Sequence, residues 1–148
     1  MRATEKFRHQ HAEIMGVVTE IRKHLSPELV AEDASDISRL LARFMGKLNV
    51  HLSMEDKALY PKLLAHDDAH IQSMTQKFIT EMGGIAEAVG DYKSKWSTAK
   101  AMQAEPAEFI AQTRRLFSAL EKRVKSENTI LYKALDDLEA GAGARKRA

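Results

Sequence analysis

The chain has 148 residues, 30% charged and 44% hydrophobic, the composition of an ordinary globular domain with enough length for a core. Its 23 basic and 21 acidic residues nearly cancel and only 6% are aromatic, which speaks against nucleic acid as a partner. There is no cysteine, so disulfides and thiolate metal sites are excluded. No apolar run reaches membrane-spanning length and no signal-peptide core follows Met1, so a cytoplasmic protein without a membrane partner is expected.

Apolar residues recur at helical spacing throughout, and strand-like alternation is missing. The first segment, about Thr4 to Leu25, puts Phe7, His11, Ile14, Val18, Ile21 and Leu25 on one face and stops at Ser26 and Pro27. The stretch 27–33 reads as a linker holding at most a short helical turn. The second segment runs from near Ser35 to about Ala65 with Ile37, Leu41, Phe44, Leu48, His51, Glu55 and Leu59 on its stripe, and Pro61 should bend or end it. The third starts at Asp67 or Asp68, where acid suits a helix N-terminus, and carries Met74, Phe78, Met82, Ile85, Val89 and Tyr92 to about Trp96. A loop over 97–105 precedes Pro106, well placed in a first turn, and the fourth segment continues to about Leu138 through Phe109, Leu116, Leu120, Val124, Leu131 and Leu135. Four such segments with short connections predict an all-α fold, an up-down-up-down antiparallel four-helix bundle over residues 1–140. Residues 141–148 are expected to form a flexible basic tail.

Ligand-type side chains interrupt these stripes. His51 and Glu55 sit four apart on the core face of the second segment, and burying both costs several kcal/mol unless something pairs with them. The first segment offers His11, the third His70 with His66 a turn upstream, and the fourth Glu127. A lone His on an apolar face is more often a hydrogen-bonded core residue than a ligand, and Glu127 could simply pair with Arg123. The coincidence of four segments, each with an inward ligand type, points instead to a metal ion held by imidazole and carboxylate, a donor set that suits iron, manganese or zinc. His9 and His24 read as solvent-face residues. The methionine and aromatic stripe reads as packing.

The same residues resemble the hemerythrin-like (HHE) cation-binding domain family. His11 in 7-FRHQHAEI-14 matches its first-helix His, 51-HLSMEDKALYP-61 matches its second-helix H-x-x-x-E with the following Leu-Tyr-Pro, and His70 in 68-DAHIQSM-74 is taken as the third-helix His. The fourth element, 123-RVKSENTILY-132, keeps Glu127 but has Arg123 where the family has its last His. The resemblance implies a non-haem iron centre with His11, His51, Glu55, His70 and Glu127 as ligands. Arg123 cannot donate a lone pair to a metal. Three arrangements follow: an asymmetric two-ion site with His66 or water filling the gap, a one-ion site, or a metal-free layer in which Arg123 pairs with Glu55 and Glu127.

The functional expectation is a metal-binding protein, with one or two iron ions, that binds or senses O2, NO or iron. An enzyme is less well supported, because the paired Glu-x-x-His of di-iron oxidases and the His-Glu-x-x-His of zinc hydrolases are both absent. The alternative is a metal-free bundle serving as a protein-interaction module, with Tyr92 and Trp96 as a candidate patch. Homo-oligomerisation is compatible with the sequence.

Overall fold

The structure, a computed structural model, describes residues 4–147, with side chains as far as Gly141. Helix α1 (Glu5–Arg22) buries Phe7, His11, Ile14, Val18 and Ile21 on one face, as the spacing predicts. Helix α2 (Pro27–Met54) begins at Pro27 rather than near Ser35. Ser26 Oγ accepts from the Leu29 amide at 3.3 Å and Pro27 fills the first turn, so the stretch read as a linker is capped helix. Burial of Val30 and Ala34 rewards that extension, and the non-helical Asp33 (φ −109°, ψ 18°) kinks the helix into line.

Pro61 does not end this rod. A π-helical turn (Glu55–Leu59) precedes it and leads into α3 (Tyr60–Leu64), and the widened turn accommodates the proline's ring and missing N–H. Helix α4 (Ala69–Lys95) is capped by Asp68, whose carboxylate accepts from the His70 amide at 2.8 Å. The expected loop at 97–105 contains a short helix, α5 (Ala99–Ala104), capped by Thr98 and anchored by the fully buried Met102. Helix α6 (Pro106–Ser126) runs through a second π turn (Glu127–Leu131) into α7 (Tyr132–Arg147). The expected tail at 141–148 falls almost wholly outside the residues with described side chains; the backbone there continues α7 to Arg147.

Four rods therefore make the bundle: α1, α2 with α3, α4, and α6 with α7. Cross-links fix their antiparallel order. Lys47 Nζ donates to Glu13 at 2.8 Å between α2 and α1, and Tyr92 OH lies 2.6 Å from Thr113 Oγ1 between α4 and α6. Thr4 and Arg8 at the start of α1 both donate to Asp136 on α7. The apolar core is divided. One half, around Ile21, Phe44, Phe109 and Phe117, fills the end near Trp96, and the other packs Phe7, Leu59, Leu63, Phe78 and Leu131. A buried polar layer lies between them. No helix among the described residues is long and apolar enough to cross a membrane.

Candidate metal centre

His11, His51, Glu55 and Glu127 form that layer, all buried, with one ligand atom of each within 4.8 Å of the others. His11 Nε2 lies 2.9 Å from Glu127 Oε1, and His51 Nε2 lies 3.3 Å from Glu55 Oε1 and 3.8 Å from Glu127 Oε1. The i, i+4 spacing of His51 and Glu55 places both on one helix face, and antiparallel packing brings α1 and the second π turn to the same level.

Each imidazole is oriented from behind. His11 Nδ1 meets Asn128 Oδ1 at 2.9 Å and His51 Nδ1 meets Gln10 Oε1 at 2.8 Å. An amide oxygen only accepts, so Nδ1–H donates to it. When the ring is neutral, the lone pair is therefore on Nε2, facing the layer. That is the tautomer a metal requires. Gln10 and Asn128 are neighbours in sequence of His11 and Glu127, but nothing in their spacing marks them as orienting groups.

Tyr132 is the other residue that sequence reasoning missed. Its hydroxyl donates to Glu55 Oε2 at 2.8 Å and lies 3.1 Å and 3.2 Å from Nε2 of His11 and His51. In an α-helix a residue five positions after Glu127 would sit about 140° round from it. The π turn returns it towards the same face, with the Tyr132 amide bonded to the Glu127 carbonyl. The first π turn relates Tyr60 to Glu55 in the same way. The repeat of Glu55–Leu59–Tyr60 in Glu127–Leu131–Tyr132 was the available signal. Tyr132→Phe should lower the stability of chelator-treated protein by about 1–3 kcal/mol, the cost of an unpaired buried acceptor, read as a lower urea midpoint. An unchanged midpoint would mean that another donor serves Glu55 Oε2.

The charges in the layer are strongly perturbed. Burial would lower the His51 pKa, but its contacts with Glu127 and Glu55 outweigh this and raise it to about 9. Burial, together with the neighbouring Glu127 carboxylate, raises Glu55 to about 7. Burial also pushes Glu127 up, yet the contacts from His11, His51 and Glu55 and the charge of Arg123 hold it well below the usual carboxylate range. The upward shift of His51 favours its protonated form without metal, and a cation binding there would compete with that proton.

One expected ligand, His70, and the candidate substitute His66 are not brought in. His70 is exposed in the first turn of α4, and His66 lies beside the α3–α4 turn with its Nδ1 accepting from the Asp68 amide. The α4 residue at the level of the layer is Met82, which lines a small cavity together with His11, His51, Arg123 and Glu127. Arg123 is buried as expected of an inward residue. It pairs with Glu127 (Nη2 to Oε2, 3.4 Å), while Glu55 is held by Tyr132 and His51, so of the two carboxylates in the metal-free alternative Arg123 meets one. Arg123 Nη2 donates to the Phe78 carbonyl (2.9 Å) and Tyr60 OH (3.2 Å), and the guanidinium lies 4.7 Å from the Phe78 ring centre.

Two imidazole nitrogens and two carboxylates suit iron, manganese or zinc. The fit is supported by a buried oxygen, Glu55 Oε1, that has no hydrogen-bond partner and faces His51 Nε2 at 3.3 Å, whereas Glu127 Oε2 is taken up by the Arg123 ion pair. The family model for the hemerythrin HHE cation-binding domain matches residues 2–135. No curated protein and no solved structure matches the chain.

Proposed function

The chain belongs to the hemerythrin HHE cation-binding domain family, and from that membership together with the buried layer we propose that it holds iron and binds or senses a small ligand such as NO or O2. The observation that carries this is the convergence of four metal-capable side chains from three rods in one buried layer. A His-and-carboxylate set that leaves coordination positions free is the pattern of non-haem iron sites that take up small ligands.

The adjoining cavity sets the size of that ligand. It offers about 20 Å³ to the centre of a water-sized sphere, enough for a water or a diatomic molecule and too small for an organic substrate. Apolar side chains, among them Ile14, Leu48 and Leu120, make up most of its remaining wall. Iron supplies the ligand-binding valence when bound. The protein's own residues fix the imidazole rings, exclude bulk water and, through Arg123, place a positive charge beside the cavity.

Anaerobic loading with ferrous iron, desalting and addition of NO tests the reading. Retained iron and a new axial S = 3/2 resonance are expected. Retained iron with no spectral response to NO or O2 would leave cation binding standing and remove the small-ligand function. The metal-free interaction module draws its support from Arg123, a built-in cation against Glu127. Failure to retain any metal would favour it.

A further inference from the structure

We propose that the centre takes a single divalent ion, because the Arg123 guanidinium permanently fills the place beside Glu127 that a second cation would need. The inference rests on the metal-binding reading above and concerns how many ions that site can hold.

Glu127 divides its two oxygens. Oε1 faces His11 Nε2 at 2.9 Å and His51 Nε2 at 3.8 Å, whereas Oε2 faces Arg123 Nη2 at 3.4 Å. The carboxylate therefore spans a two-imidazole position on one side and a guanidinium on the other. Arg123 is 6% exposed and is fixed by the Phe78 carbonyl, Tyr60 OH and the Phe78 ring. Its charge cannot be removed by loss of a proton.

Imidazole donors on that side are also missing, and the oxygens that are there, Glu81 Oε2 and Tyr60 OH, lie against the Arg123 guanidinium at 3.8 Å and 3.2 Å. Met82 offers only a thioether, a soft and weak ligand for iron. The nearest His on α4 is His70, about 18 Å along the helix by its rise per residue and exposed. Charge leads to the same count. The two carboxylates carry two negative charges and the guanidinium one positive, so one divalent ion leaves the layer one unit positive and a second would leave it three. Glu81 Oε2 lies 3.8 Å from Arg123 Nη1, but that side chain is 53% exposed and screened by solvent, so a buried excess of that size is poorly compensated.

The test compares wild type with Met82→His, Arg123→His and the double variant M82H/R123H, each loaded anaerobically with excess Mn(II), desalted and assayed by elemental mass spectrometry and EPR. Wild type should retain about one ion per chain with the spectrum of isolated Mn(II), and neither single variant should exceed it. The double variant removes the fixed charge and restores an imidazole on each rod, so it should rise to about two ions with an exchange-coupled spectrum. Two coupled ions in wild type would overturn the inference while leaving metal binding intact, and so would a folded double variant that stays at one. No retained ion in wild type would overturn both. The wild-type spectrum decides the matter even where the double variant does not fold.

Discussion

His51→Ala should abolish stoichiometric metal retention, with apparent affinity falling by at least about 100-fold, more than the loss of a group that only orients a ligand. His51 contributes on three counts. Its Nε2 lies within 3.8 Å of both carboxylates, its ring packs 4.5 Å from that of His11, and its Nδ1 is already committed to Gln10. Apart from His11, no imidazole among the described residues reaches this layer: His66 and His70 lie at the α3–α4 turn, His9 is exposed, and His24 is engaged with Asp33 at 3.1 Å. Metal content after desalting is the readout, with circular dichroism to verify that the bundle persists. Undiminished occupancy in the variant would place the ion elsewhere in the protein. The companion change Glu55→Gln should also weaken retention, because an amide keeps the shape of the side chain but loses the charge of a proposed ligand whose Oε1 has no hydrogen-bond partner.

Arg123→Ala should destabilise the chelator-treated protein by about 3–5 kcal/mol, the cost of leaving one member of a buried ion pair alone. Glu127 would retain its neighbours His11 and His51 but lose the one fixed positive charge in the layer. Urea unfolding should show the loss as a lower midpoint at an unchanged slope. Arg123→Lys keeps the charge without the planar fork that reaches Phe78 O and Tyr60 OH together, so it should recover part of the stability. Equal stability of wild type and the alanine variant would mean that Arg123 contributes nothing net to holding Glu127.

Much of the centre was legible in the sequence because it depends on short-range geometry. Four-residue spacing puts His51 with Glu55, and Arg123 with Glu127, on common helix faces whatever the rest of the chain does. The three-four recurrence of apolar residues likewise determined the four rods, and Ser26 followed by Pro27 carried a helix start that was read as a stop. That Arg123 stands where the family has a His came from the resemblance and not from the spacing.

The tertiary structure decided what depends on register between rods. His70 has the local context expected of a ligand, one turn before Met74, but the α3–α4 turn sets how far α4 slides along the bundle. That register brings Met82, three turns further on, to the layer. One of the three arrangements open to the sequence had Arg123 pair with Glu55 as well as Glu127; only packing showed Tyr132 holding Glu55. Tyr132 arrives there through a π turn, one extra residue in the helical phase that rotates everything after Glu127, and periodicity counted at 3.6 residues per turn does not anticipate such a shift. The sequence by itself thus determined which side chains share a face, because that follows from helix geometry alone. Which faces meet at one level, and so how many donors a cation finds, follows from turn lengths and packing and was decided only in three dimensions.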